Sequence, residues 1–127
     1  MSIAAAKIEA VPQPGLPPMV TIDDVTMAFG SFVAVENVNL TVGNGEFLSI
    51  VGPTGCGKST ILNAIAGLLK PAKGQVSIDG AQVKSVQNNI GYLFQQDALL
   101  PWKTAFQNVE LGLMFRGVPV EERRVKV

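Results

Sequence analysis

The chain has 127 residues, with ten Lys or Arg against ten Asp or Glu, and a mean hydropathy of +0.31. Charged residues make up 16%, against about 25% in ordinary globular domains; zero net charge without a long basic run gives no support to nucleic-acid binding. No apolar run approaches the roughly 18 residues of a spanning helix, and a single cysteine excludes an internal disulfide, so the apolar excess points to core strands whose covering elements are missing.

Residues 1–18 are Ala- and Pro-rich, with four prolines in the last seven positions. Proline blocks both helix and central strand, so this segment is expected to be a disordered leader, and residues 19–127 the folded part. From Val20 the pattern turns regular. Val20, Ile22, Val25 and Met27 form an imperfect alternation, predicting a strand that ends near Phe29-Gly30. Val38, Leu40 and Val42 alternate with Asn39 and Thr41, predicting a second, half-buried strand. Gly43-Asn44-Gly45 is a turn signal, and Glu46 opens a third, buried strand at Phe47–Val51.

That strand leads into Gly52-Pro53-Thr54-Gly55-Cys56-Gly57-Lys58-Ser59-Thr60, which fits G-x-x-x-x-G-K-[ST]. Ile61, Leu62, Ile65, Leu68 and Leu69 then follow at helical spacing. Strand, glycine turn and helix together make a phosphate-binding loop unit. Glycines at 52, 55 and 57 let successive amides converge on an anion, and the helix aims its positive dipole end at the same point. Lys58 can reach the β- and γ-phosphates, and the Ser59 hydroxyl can take a Mg²⁺ position. Cys56 reads first as a small filler at a variable position of the loop; at a helix N-terminus beside a lysine, its thiol is also expected to be open to alkylation.

The P-loop helix is expected to stop at Lys70-Pro71. Gln75–Ile78 reads as a strand into the tight turn Asp79-Gly80, with Val83 on the return. Ile90–Phe94 reads as a further buried strand, after which Gln95-Gln96-Asp97 leaves the sheet. Leu99-Leu100-Pro101-Trp102 is an apolar loop, either a buried corner or a docking surface. Phe106, Val109 and Leu113 predict a helix over Thr104–Phe115, broken by Gly117 and Pro119, and Glu121–Lys126 begins another.

From about Val20 onward, these residues resemble the ATP-binding subunit of ABC transporters. Phe29-Gly30 stands where the family's A-loop aromatic stacks on adenine. Asn44-Gly45-Glu46-Phe47 leads into the P-loop, and Ala66-Gly67-Leu68 and Gly74-Gln75-Val76 follow it. Tyr92-Leu93-Phe94-Gln95 matches the Q-loop, whose glutamine contacts Mg²⁺ or the attacking water near the transmembrane partner. Within the family, Asp97–Trp102 followed by Asn108-Val109 looks like the group importing nitrate, sulfonate, taurine or related small anions.

The resemblance implies an α/β P-loop NTPase fold, with an antiparallel β-subdomain beside the P-loop strand and helix. It implies binding of ATP and Mg²⁺, with Phe29 and residues 52–60 on the nucleotide, Ser59 and Gln95 on the metal, and Lys58 and Gln95 in catalysis. It further implies a second ATP-binding subunit, permease subunits near the Q-loop, an indirect solute-binding protein, and a peripheral place on the cytoplasmic face of the membrane. The family's LSGGQ signature, Walker B carboxylates and switch histidine do not occur in these residues. The chain is therefore expected to be the N-terminal half of a transporter ATPase, unable to turn over ATP or stay stably folded alone. A non-hydrolysing nucleotide-binding fragment, or a P-loop kinase of another family, are the alternatives.

Overall fold

The computed structural model describes residues 17–87, 89–95 and 98–127. The proposed leader thus lies outside the described residues except for Pro17 and Pro18, and Pro18 already opens the first strand. The chain divides into two compact units, residues 1–91 and 92–127.

The first unit is built on a four-stranded antiparallel sheet in the order β2-β1-β3-β4. Strand β1 (Pro18–Phe29) and strand β2 (Phe32–Gly43) form one long hairpin. Alternation along it is interrupted by register shifts, including those between Ile22, Val25 and Met27. There Asp24 and Asn37 take positive φ, and the kink is held by side chains: Asn39 Oδ1 accepts from the Asp24 amide at 3.0 Å, and the buried Thr26 hydroxyl accepts from the Asn37 amide at 3.2 Å. This is why the spelling of β1 alternates imperfectly: each bulge rotates the next apolar residue back to the core. Strand β3 (Lys73–Ile78) pairs with β1, and Asp79-Gly80, both at positive φ, turn it into the short β4 (Ala81–Gln82). The return continues at Val83, whose amide donates to Val76 O at 2.8 Å.

One face of the sheet is covered by helix α1 (Lys58–Ile65). Ile22, Val25, Met27, Val35, Val38, Leu40 and Val76 meet Ile61 and Ala64 in a single core, with Leu48, Ile50, Ile65 and Leu69 packed at its margin. The helix ends earlier than the expected Lys70-Pro71. Gly67 takes φ 74°, its amide donates to Ala64 O and that of Leu68 to Asn63 O, the two bonds of a Schellman cap. A Cβ at Gly67 would also strike the Ser85 carbonyl, so the local glycine, not the later proline, stops the helix.

Two further expectations are corrected. Residues 47–51 form no ladder with any described strand; Leu48 and Ile50 turn inward while Phe47 and Val51 are 91% and 86% exposed. The period of a strand is present but its neighbours are not. Glu46 closes the preceding turn, its carboxylate accepting from the Gly43 amide at 2.6 Å. Ile90–Phe94, expected as a buried strand, likewise forms no ladder with any described strand, and Leu93 is 96% exposed. An apolar segment of this kind suits a parallel sheet, where burial on both faces depends on strands and helices from elsewhere in the chain.

The second unit consists of helices α2 (Ala105–Phe115) and α3 (Val120–Lys126) after the loop 98–103. Thr104 and Gln107 form a reciprocal capping box at the start of α2. Gly117 and Val118 close its end on Met114 O and Leu113 O, so the expected break at Gly117 holds. Arg123 pairs with Glu110 at 3.1 Å and donates to Val118 O at 2.8 Å, tying α3 to α2. The Leu99–Trp102 loop is not a buried corner: Leu99 and Trp102 are 69% and 75% exposed.

Candidate phosphate-binding site

The loop 52–57 leaves the end of the unpaired segment 47–51 and enters α1 at Gly57, the residue N-terminal to the first helical turn. Gly57 takes φ 96°, in the left-handed region. A Cβ there would collide with Val35 Cγ1 and lie 3.2 Å from Ala34 O. Gly57 is therefore required twice, by its own backbone and by the approach of β2 beneath the loop. The Cys56 amide donates to Pro53 O, and the Ile61 amide begins the helical ladder on Gly57 O at 3.0 Å.

No side chain caps α1 and no acidic residue stands in its first turn. Its leading amides have no intrahelical acceptor, and they share the end of the helix that attracts anions. Lys58 folds back across the loop, Nζ donating to Gly52 O at 2.9 Å and Pro53 O at 2.7 Å. These carbonyls hold the ammonium group over the loop. Ser59, on the first turn, is exposed, while Thr60 is half-buried.

Cys56 is the small filler expected at this position, but not the open thiol. Its side chain is buried, 3.6 Å from Lys58 Nζ, and a Cβ at Gly52 would lie 2.8 Å from its Sγ. It fills the underside of the loop, and such a thiol is shielded from alkylation. Phe29 lies at the tip of the β1–β2 hairpin and is 48% exposed. Gln95 belongs to the second unit and is exposed. Asp97, one of the residues behind the resemblance to anion importers, lies outside the described residues.

Three residues have roles that no local pattern shows. Ala34 and Val35 form the floor under Gly57, a contact between distant segments with no local signature. Asn108 was singled out only for its place in a pattern; its side chain accepts from the Leu100 amide at 2.8 Å and donates to the carbonyls of Leu100, Lys103 and Thr104. One amide side chain thus shapes the whole exposed loop 100–104.

This assembly fits a nucleotide triphosphate tail: an uncapped helix end, converging loop backbone and one ammonium held in place. Residues 35–127 match the family model described as ABC transporter. The chain is 48% identical over 90 residues to an uncharacterized ABC transporter ATP-binding protein of Methanocaldococcus jannaschii, covering 71% of this chain and 34% of that one. It is 43% identical to the taurine import ATP-binding protein of Burkholderia pseudomallei, over 76% of this chain and 37% of the relative. It is 41% identical to the spermidine/putrescine import ATP-binding protein of Pasteurella multocida, over 87% and 30%. Among solved structures it is similar to a dimeric ATP-binding cassette in a post-hydrolysis state bound to ADP and Pi, with TM-score 0.73, 42% identity, and coverage of 84% of this chain and 53% of that one. The chain thus spans about half of the solved cassette and less than half of these curated relatives.

Proposed function

This chain belongs to the ABC transporter family, as part of its ATP-binding domain with the P-loop NTPase fold, and we propose that the protein carrying it is the ATP-binding subunit of an importer, coupling ATP hydrolysis to uptake of a small solute. The observation behind this is the end of α1, where an uncapped N-terminus stands beside Gly57, seated on Val35, and the Lys58 ammonium drawn over the loop, a combination suited to an anion.

In this reading residues 52–60 receive the triphosphate. The loop amides and the α1 N-terminus bind its oxygens, and Lys58 offsets charge on the β- and γ-phosphates as it develops during transfer. The Ser59 hydroxyl would hold Mg²⁺, which supplies charge neutralisation at the phosphates, and the likeness of Tyr92-Leu93-Phe94-Gln95 to the Q-loop gives Gln95 its role in hydrolysis. Phe29 stacks on the adenine. Cys56 supports the loop from below, consistent with its burial.

The protein would act as a dimer of ATP-binding subunits, peripheral to the cytoplasmic face of the membrane, with permease subunits contacting the Q-loop region and a solute-binding protein acting indirectly. No helix among the described residues is long and apolar enough to cross a membrane. We assign the solute to small anions of the nitrate, sulfonate or taurine kind. The polyamine importer's protein is matched over more of the chain than the taurine one, so the spelling of residues 97–102 with Asn108-Val109, not overall similarity, favours this choice.

The test is Lys58→Ala in the full-length protein. Loss of this electrostatic contact should lower ATP hydrolysis at least about a hundredfold, measured as phosphate release with MgATP. Near-normal turnover would overturn the assignment.

A further inference from the structure

We propose that Phe32 forms, together with Phe29, a paired aromatic seat for the nucleotide base. This deepens the reading of Phe29 as the base-stacking residue and rests on it.

Phe29 and Phe32 are direct partners across the two-residue turn Gly30-Ser31. Opposed residues of an antiparallel pair project from the same face, with Cβ atoms about 4.5–5.5 Å apart. Phe29 stands two residues beyond Met27, which is buried in the core, so strand alternation places it on the core face. Val35, the partner of Met27, is on that face too, and it is the side chain against which Gly57 is seated. One face of the hairpin therefore runs continuously from the floor of the P-loop to the aromatic pair. Val33 and Ala34 separate Val35 from Phe32, about 10 Å of strand, and the register shift at this point keeps the two on one face despite their odd spacing.

Both rings are left half in solvent, Phe29 at 48% and Phe32 at 54% exposure. A single exposed aromatic is ordinary. Two opposed on one face, at the end of the strand that lies beneath Gly57, leave apolar surface of the kind on which a base stacks. Val33, exposed at 47%, pairs with Ala28 and so projects from the other face. A stacked base is held through its π-face, an interaction that alanine replacement of one aromatic partner weakens at least about fivefold.

The experiment compares Phe29→Ala, Phe32→Ala, Phe32→Leu and Phe32→Trp in the full-length protein. ATP and inorganic tripolyphosphate are each titrated calorimetrically, and thermal melting of every variant is recorded. We expect Phe32→Ala and Phe32→Leu to bind ATP at least about fivefold more weakly, with tripolyphosphate affinity and melting unchanged, and Phe32→Trp to match the parent. Equal weakening of ATP and tripolyphosphate, or full recovery by leucine, would reduce Phe32 to hairpin packing and overturn the proposal. Normal ATP affinity in Phe32→Ala with weakened affinity in Phe29→Ala would also overturn it, while leaving Phe29 as the stacking residue. Normal affinity in both alanine variants would remove the base site altogether.

Discussion

The two units of this chain are stabilised in opposite ways. Residues 1–91 enclose a core in which Val25, Val35 and Ile61 have no exposed surface. Neither α2 nor α3 contains a single buried residue. The second unit is held by directional polar contacts: the Thr104–Gln107 capping box, the four bonds of Asn108 and the Arg123–Glu110 pair. Helices of eleven and seven residues are marginal by themselves in water. Polar closure can define the shape of such a unit but supplies little net free energy, because each bond replaces one to water. The phosphate site belongs to the unit with the core, where the loop glycine rests on a strand that cannot move without opening a cavity.

That contrast is broken most severely at Ile61. Ile61→Ala removes a fully buried side chain that joins α1 to the sheet, and should destabilise the protein by about 2–5 kcal/mol. Thermal and denaturant unfolding would measure it, and ATP affinity should fall as the α1 N-terminus loosens. A loss well under 1 kcal/mol would mean that burial does not hold the first unit together.

Asn108→Ala sharpens the contrast from the other side. It removes the acceptor of the Leu100 amide and the side-chain donor to the Lys103 carbonyl, while the Leu100 and Thr104 carbonyls keep backbone donors, a local loss of about 1–3 kcal/mol. Amide exchange at Leu100 should accelerate by one to two orders of magnitude on that basis, while exchange at Ile61 stays as it was. Acceleration at both positions would show the units to be one cooperative body. Thr104→Ala, with loss of one cap, should cost about 1 kcal/mol and speed exchange at Gln107; Thr104→Ser should restore it. Failure of serine to restore exchange would indicate that the hydroxyl is not what starts α2.

Elements whose causes lie within a few residues were legible. The Asp79-Gly80 turn, the start of α2 at Thr104 and its break at Gly117 are written in adjacent residues, and each formed where the spelling places it. The P-loop was legible for the same reason, since its glycines, lysine and serine are contiguous. The end of α1 was less legible: Pro71 is the visible breaker in the spelling, whereas the helix stops at Gly67, whose role depends on the Ser85 carbonyl packed beside it.

By itself, then, the sequence determined the glycine-rich loop, the turns, the start of α2 and the apolar faces of β1 and of the Val38–Val42 part of β2, all of them properties of short-range geometry. Only the tertiary structure decided that Val35 lies beneath Gly57, that Cys56 is shielded and that Phe29 shares its face with Phe32. It also decided that 47–51 and 90–94 take no ladder partner among the described residues. A strand pattern states which face of a segment is apolar; whether the segment pairs depends on neighbours distant in the chain, and that information is absent from any local window.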